Sequence, residues 1–112
     1  MLNIVNQSQD IELLIHRYYE ARWKRICMWR EARASFRLKY FTTELISADQ
    51  KGWEEFMDFE MQNPFRIEKV QVDEQDAEVV VMQPSRGTGG ITWIYYLRNT
   101  ENGWRIARRK VQ

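Results

Sequence analysis

Asn102-Gly103-Trp104-Arg105-Ile106 is the stretch on which the fold of this chain turns. Gly103 can take a positive φ at no steric cost, which suits the tight end of a hairpin, and Trp104 and Ile106 then fall on one side of the returning strand. Working back, Asn99 to Gly103 reads as the turn, and Ile91 to Leu97 as the most apolar strand and hence the central one. Ser85-Arg86-Gly87-Thr88-Gly89-Gly90 reads as a flexible loop, and Ala77 to Met82 as a short apolar run closed by Pro84. Before the turn Asp73-Glu74-Gln75-Asp76, the segment from Phe65 to Val72 alternates with one slip at Lys69, the mark of a bulge. The strands are therefore expected at 65–72, 77–83, 91–98 and 103–111.

Upstream the period changes to that of helices. Ser8-Gln9-Asp10 offers an N-cap, with Glu12 in the first turn where the helix dipole favours an acid. Ile11, Leu14, Ile15, Tyr18, Tyr19, Ile26 and Trp29 form a stripe that predicts a helix over 11–33, broken near Ala34-Ser35. A second helix is expected over 36–47, carrying Leu38, Phe41, Leu45 and Ile46. A third, over 50–61, carries Trp53, Phe56, Met57 and Met61 and stops at Asn63-Pro64, because proline lacks the donor and restricts its predecessor. This order predicts one α+β domain, residues 1–112, with three N-terminal helices packed on a curved antiparallel four-stranded sheet. Trp53, Phe56, Tyr95, Trp104 and Ile106 are the expected core.

With 44% hydrophobic residues and 13% aromatic, the chain can fill such a core. No apolar run is long enough to span a bilayer, and Met1 to Asp10 has neither the basic nor the apolar part of a secretory signal. Cys27 stands alone, so no internal disulfide can form, and a buried inert thiol in a reducing cytoplasm is the expectation. The net charge of +1 hides a segregation. Residues 17–39 hold eight Lys/Arg against Glu20 and Glu31, residues 44–78 hold eleven acids against Lys51, Arg66 and Lys69, and residues 86–112 hold six basic residues against Glu101. Two basic zones and an acidic middle can neutralise each other across a fold, so the pattern does not single out nucleic acid.

Two short stretches, set in this order of elements, carry a family likeness. Tyr40-Phe41-Thr42-Thr43-Glu44-Leu45 is similar to the aromatic-aromatic-Thr/Ser-x-Glu-Leu turn of helix two in the nuclear transport factor 2-like superfamily, and Asn102-Gly103-Trp104-Arg105-Ile106 resembles its final hairpin. The resemblance implies a cone: a sheet curled around a long helix, with the tryptophan and the isoleucine packed inside. It also implies a choice of functions, since the superfamily holds isomerases, dehydratases and cyclases working in the cone, and non-enzymatic binders that include bacterial immunity proteins neutralising a secreted toxin. The chain departs from the isomerase pattern, having no aspartate in a predicted strand facing the inner aromatics.

Candidate chemistry is sparse. His16, the one histidine, has Glu12 and Glu20 one turn to either side, the setting of a solvated surface histidine more than of a general base. One His and one Cys without ligand spacing make no metal site of the usual kind, and no cofactor is implied. The loop from Ser85 to Gly90 lacks the Gly-Lys-Ser/Thr ending of a phosphate loop and precedes a strand instead of a helix. Arg22, Lys24, Arg25, Arg30, Arg33, Arg37 and Lys39 interleave with Trp23 and Trp29, yet they spread around the helix instead of lining one edge.

Alternation puts Trp93, Tyr95 and Leu97 on one sheet face, with Thr92, Ile94 and Tyr96 on the other, and groups Trp104, Ile106 and Arg108. A ligand pocket in the cone would then be lined by Tyr18, Trp93, Tyr95 and Arg108, the arginine orienting an anion. Both faces of the central strand are apolar, so the outer one invites a cover such as a second copy of the chain.

The acidic residues Glu54, Glu55, Asp58, Asp73, Glu74 and Asp76 make the strongest candidate for partner binding. The resulting expectation is a non-enzymatic, cytoplasmic protein-binding module, most concretely an immunity protein facing a basic toxin domain, with no nucleic-acid or membrane partner. The alternative is a small lyase or isomerase using the cone.

Overall fold

The computed structural model describes residues 4–23, 30–48, 65–85 and 88–112. Helix α1 runs Ile4–Trp23, α2 Arg30–Tyr40 and α3 Thr43–Ala48; strands β1 Arg66–Asp73, β2 Asp76–Ser85, β3 Thr88–Thr100 and β4 Gly103–Val111 follow. The strands form one antiparallel sheet in the order β1-β2-β3-β4, a meander in which each strand pairs with its neighbour in sequence. The expected α+β architecture of helices followed by a four-stranded antiparallel sheet is therefore present. The expected helix over 50–61, with Trp53 and Phe56, lies outside the described residues.

α1 lies on the sheet because Ile11, Ile15, Tyr18 and Tyr19 recur at helical spacing and are buried to 1% exposure or less. Burying each such side chain contributes about 1.5–3 kcal/mol. The sheet answers with Ala77, Val79 and Val81 from β2, Tyr95 and Leu97 from β3, and Trp104 and Ile106 from β4, all buried. Tyr95, Trp104 and Ile106 thus sit in the core as expected.

The helix boundaries differ from the sequence expectation. α1 starts at Ile4, so Ser8 and Asp10 are interior to it and do not cap it. Ala34 and Ser35 lie within α2, and the expected second helix is instead interrupted at Phe41-Thr42, between α2 and α3. Thr42 makes that break. Its Oγ1 accepts the Leu45 N–H at 3.1 Å as the N-cap of α3, and its own N–H donates to the Ile106 carbonyl at 2.9 Å. Phe41 bridges Ile106 beside it, so the joint between α2 and α3 is docked on β4.

Two bulges shape the sheet. In β1 the pairing passes from Ile67↔Val81 to Lys69↔Val80, skipping Glu68, at the slip expected near Lys69. In β4 it passes from Leu97↔Ile106 to Tyr96↔Arg108, leaving Ala107 as the extra residue. β2 runs past the expected stop at Pro84 to Ser85, with the ladder shifting register there. β3 begins at Thr88, so part of the expected loop is strand.

On the sheet's other face, Val80, Ile94 and Tyr96 are half-buried. Arg108 lies over the Tyr96 ring at 4.1 Å and the Lys110 ammonium stands 5.7 Å from the same ring, so this face is partly covered by the chain's own cations.

Candidate functional site

The space between α1 and the sheet is where a cone cavity would open, and Tyr18, Tyr19 and Tyr95 occupy it. Tyr18 and Tyr95 are fully buried with ring centroids 6.0 Å apart, edge to face. Tyr18 also meets Phe36 at 6.1 Å, Phe41 at 5.8 Å and Tyr40 at 5.8 Å, which gathers both ends of the α2 ring set onto one α1 side chain. Tyr19 stacks on Phe65 at 4.3 Å. The Tyr19 and Tyr95 hydroxyls stand 2.8 Å apart, and the Tyr19 hydroxyl donates to Gln83 Oε1 at 3.4 Å, so Tyr95 is the donor to Tyr19 in the chain Tyr95–Tyr19–Gln83. The hydroxyls of Tyr19 and Tyr95 are thereby used within the core.

The four residues named for a pocket do not converge. Tyr18 and Tyr95 pack together, and Trp93 is half-buried. Arg108 is exposed on the outer face, because the extra residue Ala107 inverts the alternation beyond Ile106. Arg109 takes the inner position, its guanidinium 4.0 Å from the Trp93 ring centroid. His16 is exposed at the helix surface with its ring 4.9 Å from Phe65. Among the described residues no three His, Cys, Asp or Glu side chains come close enough to hold a metal.

Of the acidic candidates, Asp73, Glu74 and Asp76 are exposed at the β1–β2 turn, while Glu54, Glu55 and Asp58 lie outside the described residues. Asp76 reaches Arg98 at 3.6 Å, a solvent-exposed pair worth little. Glu74 sits in the left-handed region with φ 57°. A side chain bearing a Cβ pays roughly 1–2 kcal/mol there. The Gln75 carbonyl accepts the Asn99 N–H at 2.7 Å, which ties the turn to the end of β3.

A second site was not anticipated from the sequence. A cleft of about 650 Å³ lies between α1, the C-terminal end of α2 and the β3–β4 hairpin. α1 contributes Gln7, Asp10, Leu14 and Arg17, a stripe spaced three, four and three apart, with Leu13 at the edge. α2 supplies Lys39 and Tyr40, and the hairpin supplies Asn99, Gly103, Trp104 and Arg105. Arg105 is held by two backbone carbonyls, donating from Nε to Leu38 O and from Nη1 to Trp104 O, each at 2.8 Å. Burial raises the pKa of the Tyr40 phenol above its ordinary value, with the charge of Arg17 opposing and that of Glu20 adding. The stripe on α1 was readable in principle, but its partners come from segments some 20 to 90 residues away.

Compared with protein-family models, with curated proteins and with solved structures, the chain finds no match in any of the three.

No described helix is long and apolar enough to cross a membrane.

Proposed function

We propose that the chain is a non-enzymatic protein-binding module with a nuclear transport factor 2-like cone, acting in the cytoplasm as an immunity protein against a basic toxin domain. The observation that carries the reading is the filled interior: Tyr18, Tyr19 and Tyr95 occupy the space between α1 and the sheet, so the work is assigned to the surface. The family part rests on the meeting of the two motif stretches, since the Thr42 N–H donates to the Ile106 carbonyl at 2.9 Å. The surface part rests on the β1–β2 turn, where Asp73 and Glu74 are exposed and Glu74 keeps a left-handed backbone that an asparagine or glycine would hold with less strain. Such a tip offers a basic partner a fixed, steering negative charge.

The test is to co-express the chain with the product of the adjacent gene and measure binding and protection of the host. Charge reversal at Asp73 and Glu74 is expected to slow association at low salt, with the effect fading as salt rises. Neither binding nor protection by the native chain, or an association rate indifferent to both reversals, would overturn the proposal. The competing reading, a lyase or isomerase in the cone, requires a small molecule to displace the packed tyrosines and would show as turnover lost in Tyr95→Phe.

A further inference from the structure

We infer that the cleft between α1, the end of α2 and the β3–β4 hairpin binds a small organic anion, its acid group held by Arg105, Lys39 and Arg17 and its apolar body resting on Trp104 and Tyr40. This goes beyond the surface function proposed above and does not rest on it. The cleft volume of about 650 Å³ falls within the usual size of small-molecule sites.

Charge decides the class of ligand. Among the described residues three cations line the cleft against Asp10 alone. Asp10 stands seven residues from Arg17 on α1, about 10 Å along the helix, too far to neutralise it by contact. Glu20, whose charge reaches Tyr40, does not line the cleft, so the balance of its lining stays positive. The neighbouring Asp73–Asp76 turn is not part of the lining, and its Asp76 faces Arg98.

Geometry makes Arg105 the anchor. A guanidinium carries five N–H donors in a fixed plane, and the bonds to Leu38 O and Trp104 O use two of them. Those bonds hold the plane before any ligand arrives, so little side-chain entropy is lost when an anion docks. Gly103, at φ 103°, makes the tight hairpin end that carries Arg105 to the cleft, a backbone shape that a side chain with a Cβ rarely adopts. Trp104, buried to 7% exposure, and the half-buried Tyr40 give the same cleft an apolar surface beside the cations. The ligand chemistry is therefore amphipathic: a phosphate or carboxylate on an aromatic or aliphatic body.

The test is titration of the isotopically labelled protein with benzyl phosphate, phenylacetate, inorganic phosphate and benzyl alcohol, followed by amide NMR. Benzyl phosphate or phenylacetate is expected to give saturable shifts at Lys39, Tyr40 and Gly103 to Arg105. Tighter binding by the first marks a phosphoester ligand and by the second a carboxylic acid. Arg105→Gln should weaken binding about tenfold, Lys39→Gln severalfold, and Arg108→Gln on the outer face not at all. Lys39 is exposed, so its variant keeps the test valid if Arg105→Gln fails to fold. Absence of saturable shifts, unchanged affinity in Lys39→Gln, or equal binding of benzyl alcohol would overturn the site. Inorganic phosphate binding as tightly as benzyl phosphate would overturn the apolar half of the assignment.

Discussion

Arg109 lies over Trp93, its guanidinium carbon 4.0 Å from the ring centroid, on the helix-covered face of the sheet. A half-buried cation over an indole contributes about 0.5–2 kcal/mol. Arg109→Ala should therefore lower the urea midpoint by at least the amount that Arg108→Ala does and change tryptophan emission more, since Arg108 faces Tyr96. Identical emission spectra for the two variants would count against the assignment.

The Tyr19–Tyr95 hydroxyl pair should behave as a coupled unit. Each Tyr→Phe change is expected to cost about 1–2 kcal/mol, and the double change less than the sum, because either single change already removes the bond the two hydroxyls share. Chemical denaturation of the two single variants and the double one gives the coupling directly. Tyr18→Ala, which removes a ring packed against Phe36, Phe41 and Tyr95, should cost about 3–5 kcal/mol.

Relief of strain at Glu74 should separate stability from binding. Glu74→Asn suits the left-handed φ of 57° and is expected to stabilise the fold by about 1 kcal/mol, raising Tm by about 4 °C. The same change removes one charge from the acidic turn, so affinity for a basic partner should fall while Tm rises. A calorimetric scan paired with a binding assay reads both.

Tyr40 sets an alkaline limit. Burial holds its phenol above the ordinary value of 10.0, so the folded chain keeps this proton to a higher pH than the unfolded chain does. The stability it contributes is full below about pH 10 and is lost as pH rises through the folded value. In Tyr40→Phe the decline of stability above pH 10 should be shallower than in the native chain. Denaturant midpoints measured between pH 9 and 11 check the sign.

The sheet was legible because its information is local: Gly103 adopts φ 103° at the hairpin end, and the β1 bulge shows as a slip in alternation beside Lys69. The break between α2 and α3 was not legible, because no glycine or proline marks it. It is made by Thr42 reaching Ile106, a bond across 64 residues that no short window contains. The exchange of Arg108 for Arg109 has the same root in β4. Nothing in Ile106-Ala107-Arg108 announces an extra residue, and only pairing with Tyr96 and Leu97 reveals it. Of the sites, the acidic turn was readable as a charge run, whereas the cleft exists only where three distant segments meet.

The bulge also bears on how the gene can vary. Loss of the Ala107 codon would join Ile106 to Arg108 with Leu97↔Ile106, Tyr96↔Arg108 and Tyr95↔Arg109 all intact, removing only the local bend. Loss of the Ile94 codon would instead slide a strand paired on both sides by one residue and turn Tyr95 or Leu97 to the sheet's other face. Within the sheet, then, in-frame deletions are not equivalent: β4 carries one spare codon, and its position is fixed by a partner strand instead of by anything written beside it.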